Sequence, residues 1–478
     1  MESSFDPEAA ALASFIIQVN PNMVQALGGA TAFECVLTDI GIFDDIGSTS
    51  TSTENHVSDD GWSIESDHQH ASIQEPATKK RQTFKREKKE DSAWWRKYLR
   101  PDMTLNMEVE PQGRVAKKFR RNFRLPFLMY KSKVLAMAKD RWWPTWHDKE
   151  VDAFGRLICD LELKLLGALF VLANGSTHFT VSEFTDMSEE VHRKFFITCL
   201  GHMASVKDEF IYFPRDEVGH KFVVDEYGSI GFPGCIGSVD CVHIGWDKCP
   251  SQWNNIFKGK EMHPSVAYKV VCAARKFIHS VSSGRPGSRK DQHIARTDPA
   301  ILNLLEQNHW LASKQWAVTT DANGGKKMYR GSYLLCDGGY HRWPCLVFPI
   351  KSGVPGSTAR KWSMLIESVR KDIEGTFGIL KMRFRYLKDF NRMHSLRDVD
   401  NGFVTCCILY NMLFEEDGYL DVNLEQNPIG MTATLRKMFA NVALDGIWTR
   451  EGDDTPDELM DMEEARHCPF EKIRLESK

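Results

Sequence analysis

LLCDGGY (334–340) and IESVRKDIEGTFGILKMRFRYL (366–387) decide how the rest of the chain is read. The first is an apolar, strand-like run that ends in Asp337 and two glycines. The second carries Ile366, Val369, Ile373, Phe377 and Leu380 at three- and four-residue spacing, which predicts one buried helix face. Glu367, Arg370, Glu374 and Lys381 follow the neighbouring stripe. A carboxylate at a strand's end is thus followed, 37 residues later, by Glu374 on a helix that must pack against the sheet. Upstream, GSVDCVHI (237–244) sets a third carboxylate, Asp240, inside another apolar strand. Hard divalent cations prefer carboxylate oxygens, so three acids on two strands and a helix suit a two-metal phosphoryl-transfer site.

The 478 residues allow two or three domains with sizeable cores. Apolar runs of about 18 residues are absent, so no membrane span is expected, and no secretory signal opens the sequence. Twelve cysteines without a CxxC pair point to a reducing, intracellular compartment. The net charge of −4 conceals a polarity: residues 1–77 hold thirteen acids and no Lys or Arg, and residues 411–478 hold sixteen acids against seven bases. The middle, 78–410, therefore has 54 bases against 36 acids, a balance that suits a polyanionic partner such as DNA.

Along the chain, four regions are expected. Residues 1–91 read as an acidic, largely disordered segment ending in KKRQTFKREKK (79–89), a candidate nuclear-import signal or phosphate-contacting arm. Residues 92–225 read as helical. Arg114–Arg141 holds ten bases and one acid, and Arg120, Arg121 and Arg124 there are candidate DNA contacts. Within this region a helix–turn–helix-like spacing places a second helix at Ser188–Leu200, although Glu189 and Glu190 suit a DNA groove poorly. Residues 226–415 give three strands, a helix-like DQHIARTDPAILNLLEQ, a polar stretch to Arg330, a fourth strand and the carboxylate-bearing helix. That is the element order of an RNase H-like fold, in which the first and fourth strands are neighbours and Asp240 meets Asp337 across 97 positions. Residues 416–478 read as an acidic tail. The fold class is α/β: an RNase H-like catalytic core preceded by an all-helical domain, with disordered acidic tails.

FPGCIGSVDCVHIGWDKCP (232–250), GRPGSRKDQHI (284–294), LLCDGGYHRWPCLVFP (334–349) and SVRKDIEGTFGILKMRFRYL (368–387) together resemble the PIF/Harbinger superfamily of DNA transposases, including its plant-transposon branch. The resemblance covers roughly 230–415. It implies a cut-and-paste transposase whose acidic triad falls on Asp240, Asp337 and Glu374, with two Mg2+ or Mn2+ ions bridged by Asp240. It also implies transposon ends and target DNA as partners, a nuclear location, a separate Myb-like accessory protein and a homo-oligomer. Asp291 matches a family position and is an accessory acid. His243, three residues after Asp240, is a second accessory candidate, better suited to a structural role because strand alternation turns it away. Arg383 and Arg385 are further candidate DNA contacts. One departure is CCILYNML (406–413), where the family has a His and this chain has Tyr410. Alternatives from other classes are a domesticated relative that binds DNA or protein without cutting, a zinc protein on Cys235, Cys241, Cys249 and His243 or His263, and a nucleotide-binding loop at GSIGFPGCIG. The last two lack the paired ligand spacings or the strand-to-helix glycines that those sites need.

Overall fold

The computed structural model describes residues 87–144, 157–259, 262–306, 309–319, 326–350, 357–388 and 391–417. Residues 1–86, with all but the last three residues of the basic run at 79–89, and residues 418–478, the acidic tail beyond Asp417, lie outside them. The α-helices of six residues or more are α1 (Pro101–Val109), α2 (Arg114–Phe123), α3 (Leu161–Asn174), α4 (His178–Thr185), α5 (Glu189–Ser205), α6 (Glu217–Ser229), α7 (Asp291–Arg296), α8 (Pro299–Leu305), α9 (Thr358–Arg383) and α10 (Leu396–Glu416). The strands are β1 (Cys235–Gly245), β2 (Ser265–Cys272), β3 (Ile278–Val281), β4 (Arg285–Pro286), β5 (Gln315–Thr319), β6 (Lys326–Arg330), β7 (Tyr333–Leu335) and β8 (Leu346–Val347).

One mixed sheet organises the described residues, in the order β3-β2-β1-β7-β8, with β4 added beside β2. β1, β2 and β3 are antiparallel neighbours, whereas β1–β7 and β7–β8 are parallel. Every residue of β2 is buried, which follows from covering both faces of a sheet. Tyr268, Val270 and Cys272 enter one core with α2, α3, α5 and α10, while Val271 enters the other with α6 and β7. Because the first core joins helices from both sides of residue 225, the change there is one of element type within a single packed unit.

Local chemistry accounts for the element ends. Gly175 closes α3 in the left-handed conformation, as its Asn-Gly sequence leads one to expect. α5 buries His192, Phe195, Phe196, Cys199 and Leu200, and its exposed first turn pairs Glu190 with Arg193 and Lys194. The helix expected over DQHIARTDPAILNLLEQ is broken in two, because Pro299 disfavours helical backbone at the residue before it. Asp298 then caps α8 through the amides of Ala300 and Ile301 and pairs at 2.5 Å with the fully buried Lys269 of β2. The polar stretch before Arg330 contains an antiparallel pair, β5–β6, which the charged Lys326 and Lys327 conceal in sequence; Trp316 stacks on Tyr329 across it.

α10 is buried along most of its length, Tyr410 included. Asn411 staples it to the sheet edge: its Oδ1 accepts from the Ile278 amide at 3.0 Å, and its Nδ2 donates to the carbonyls of Ile278 and Phe210 at 2.8 Å each. Asn411→Ala strands one buried donor and two acceptors, so a loss of roughly 2–4 kcal/mol is expected in urea unfolding. A loss below about 0.5 kcal/mol would show that these groups find other partners.

Candidate active site

Strand register sets the first two acids. β1 and β7 pair in parallel with Gly237 opposite Leu334 and Ser238 opposite Leu335. That register points Asp337, two residues past the end of β7, toward Asp240, and the Asp337 charge is felt at Asp240. Asp337 lies just past the end of β7, where Gly339 N donates to its Oδ1 at 2.9 Å. A Cβ at Gly339 would stand 3.0 Å from that same oxygen, so the second glycine of DGG leaves room for the carboxylate.

Asp240 is largely buried. Its Oδ1 accepts the Cys241 amide at 2.9 Å, and its Oδ2 accepts Arg370 Nη1 at 2.8 Å. Burial pushes its pKa up to about 6; the Cys241 amide and Arg370 act against this, while the carboxylates of Asp337 and, more weakly, Asp291 add to it. Glu374 sits one helical turn beyond Arg370, half exposed, with its Oε1 at 3.1 Å from Arg370 Nη2. One guanidinium therefore bridges Asp240 and Glu374. Arg370 stands in the sequence only as a charge four residues before Glu374; that i, i+4 spacing is the signal for its role.

Asp291 opens α7 and lies against the Cys241 thiol, whose pKa rises through burial first and the Asp291 charge second. The buried Tyr340 hydroxyl is 3.5 Å from the same sulfur. His243 shares the Cys241 side of β1 by strand alternation, with Nδ1 at 3.4 Å from Ser265 Oγ. It lines a groove of about 470 Å³ with Cys241, His263, Ser265, Phe377, Lys381 and Lys388, and Lys381 Nζ donates to its carbonyl at 3.1 Å. Neither lysine signals this role in sequence: Lys381 stands there only on the polar stripe of its helix, and Lys388 reads as an ordinary base beyond the helix end.

The candidate DNA-contacting arginines divide. Arg120, Arg121 and Arg124 meet Arg383 in a separate cleft of about 400 Å³, although some 260 residues part them in sequence. Arg385 is exposed in the turn after α9 and is not among the residues lining that cleft.

For a divalent cation the donor chemistry fits. Asp240, Asp337, Asp291 and Glu374 offer carboxylate oxygens, and the raised pKa of Asp240 marks a place where added positive charge is favourable. Among the described residues, however, no group of three or more His, Cys, Asp or Glu side chains is gathered closely enough to hold a metal ion. Asp240 and Asp337 are together, and Arg370 holds the place between Asp240 and Glu374.

A carboxyl whose folded pKa of about 6 exceeds its ordinary 3.8 favours the folded state below pH 4 and loses that contribution as pH rises through 6. The difference amounts to roughly 3 kcal/mol above pH 6. Asp240→Asn should therefore raise the metal-free Tm at pH 7.5 relative to the parent chain and leave it nearly unchanged at pH 4. A lower Tm at pH 7.5 would mean that the Arg370 ion pair outweighs the cost of burying the charge.

The family described as plant transposon protein matches residues 216–421, which contain Asp240, Asp291, Asp337 and Glu374. Among curated proteins, "Putative nuclease HARBI1" of Bos taurus is 25% identical over 258 residues, covering 53% of this chain and 67% of its own length. The Homo sapiens protein of that name gives the same figures, and the Xenopus laevis one is 24% identical over 300 residues, covering 62% and 77%. No solved structure matches the chain. The segment that carries the acidic strands and α9 thus matches a plant-transposon family and is similar to putative nucleases, which supports a place in the Harbinger-type, transposase-derived family.

Proposed function

We propose that the protein cuts and joins DNA phosphodiesters as a Harbinger-type transposase or nuclease. The observation that carries this reading is the parallel register that points Asp337 toward Asp240, with Glu374 reached through a single arginine. The sheet order, with three antiparallel strands followed by parallel ones, supports an RNase H-like core.

Asp240, Asp337 and Glu374 are the residues to hold Mg2+ or Mn2+, with Asp291 accessory. Two such ions supply activation of the attacking oxygen and neutralisation of the leaving one. The remaining work falls to the chain's own groups. Lys381 and Lys388 give the adjoining groove the positive charge that a phosphate backbone needs, and Phe377 walls its apolar side. Arg370, held by two carboxylates, is poised to pass its charge to a phosphate oxygen when those carboxylates take up a cation. Arg120, Arg121, Arg124, Arg383 and Arg385 are proposed to contact the DNA backbone. A nuclear location, a Myb-like accessory protein and self-association are the corresponding proposals for setting and partners.

A second reading, a domesticated DNA- or protein-binding factor that no longer cuts, is favoured by one observation: the acids are paired with Arg370 and not gathered around a three-ligand metal site. Nicking of supercoiled DNA separates the two. The parent chain should nick with Mg2+ or Mn2+ and not with EDTA, and Asp240→Asn should lose at least about a hundredfold in rate, the scale of removing one electrostatic stabiliser, while still binding DNA. Nicking that persists in the variant or in EDTA sinks the metal mechanism. Binding without nicking under any metal establishes the second reading.

A further inference from the structure

The arginine cleft is not part of the acidic site. Arg383 follows Glu374 by nine residues, which is about 13 Å along the axis of α9 and half a turn round it. Arg120 and Arg121 lie in the last turn of α2. Arg124, just past its end, is held in the left-handed conformation at φ 61° by its amide bond to the Arg120 carbonyl. Four guanidinium groups thus converge from two helix C-termini. Each terminus carries roughly half a negative charge, so the helix ends offset only about one of the four positive charges.

The carboxylate that enters this cleft is Asp417, the residue that follows α10. Both its oxygens accept from Arg120 Nη2, at 2.7 and 2.8 Å, and its Oδ2 lies 3.8 Å from Arg383 Nη1. About two positive charges then remain, and the Nε of Arg124 is a buried donor without a hydrogen-bond partner. A surplus of charge, an unused donor and a resident two-oxygen anion together describe a site larger in demand than the carboxylate it holds. Arginine takes a carboxylate and a phosphodiester with the same geometry.

Building on the reading of the chain as DNA-binding, we infer that this cleft is a subsite for a backbone phosphate of DNA outside the scissile position, and that Asp417 is an internal phosphate mimic which DNA must displace. Occupied by Asp417, the cleft holds bound DNA weakly; freed of it, Arg120, Arg383 and Arg124 all turn to phosphate. The step is an exchange of anions, with no bond made or broken.

The test uses the full chain and a short duplex in EDTA, so that binding is read apart from cleavage. Asp417→Asn keeps the shape of the side chain and removes its charge. It should tighten DNA binding by several-fold to about tenfold. It should also steepen the fall of log K with log salt by up to about one unit, because no cation need be taken up by a displaced carboxylate. Arg120→Ala and Arg124→Ala should each weaken binding and flatten that slope by about one unit. Unchanged affinity and slope in Asp417→Asn, with the parent chain binding normally, overturn the inference alone. A lower Tm in Asp417→Asn with unchanged or weaker binding assigns Asp417 to holding helix ends together and overturns it likewise. Failure of both forms to bind DNA at low salt sinks the DNA-binding reading and the inference with it.

Discussion

A carboxylate buried within a strand must be offset by positive charge, and the candidate site is arranged around how Asp240 meets that demand. Its strand lies between two others and helices pack on both faces, so little of its side chain is left to water. The backbone provides one donor and Arg370 provides the one full charge. That charge is insufficient, since Asp240 still resists ionisation with Asp337 and Asp291 nearby. An ion pair that leaves its acid only partly neutralised costs more than it returns in stability.

The placement of Arg370 follows from α9. Its apolar stripe divides: Trp362, Leu365, Ile366 and Val369 belong to one core, Ile373 and Leu380 to the other. A helix anchored in two cores on opposite sides of a sheet cannot slide or rotate without disturbing both. Residues 370, 374, 377 and 381 therefore keep a fixed bearing on β1, and the polar stripe between the two apolar halves is the one that faces Asp240. Deep burial of Trp362, Ile366 and Ile373 is thus what gives the exposed Glu374 a defined position.

Much of this was legible in sequence, for physical reasons. An Asp inside the apolar strand of Val239 and Val242 announces itself because its burial has no cheap explanation, and helix periodicity found the central and C-terminal part of α9 but missed its first two turns, Thr358–Leu365. Pairing of β1 with β7 followed from element order alone. Arg370 was not legible as part of the site, because a base four residues from a Glu is an ordinary surface pattern. The β5–β6 pair escaped because its inward alternation is carried by few residues, Trp316 and Tyr329 among them, amid lysines. The break at Asp298 was written in its Pro299, and the longer apolar pattern on either side outweighed it.

The arginine cleft lay beyond sequence reading for a different reason. Periodicity locates a residue on its own helix, and charge density marks a basic region, but neither says which two helix ends meet. Here α2 and α9 meet because α10, stapled by Asn411 to the sheet, ends beside both and delivers Asp417 between them. The residue that closes the cleft is thus carried by the same helix whose burial completes the core. A change of fold stability that frays the last turn of α10 would release Asp417 before it loosened the sheet, since helix ends open at lower cost than buried centres. Release of Arg120 and Arg383 from their carboxylate is therefore coupled to local order at one helix end, and the acidic site 13 Å away along α9, about nine residues at the helical rise, can stay formed while it happens.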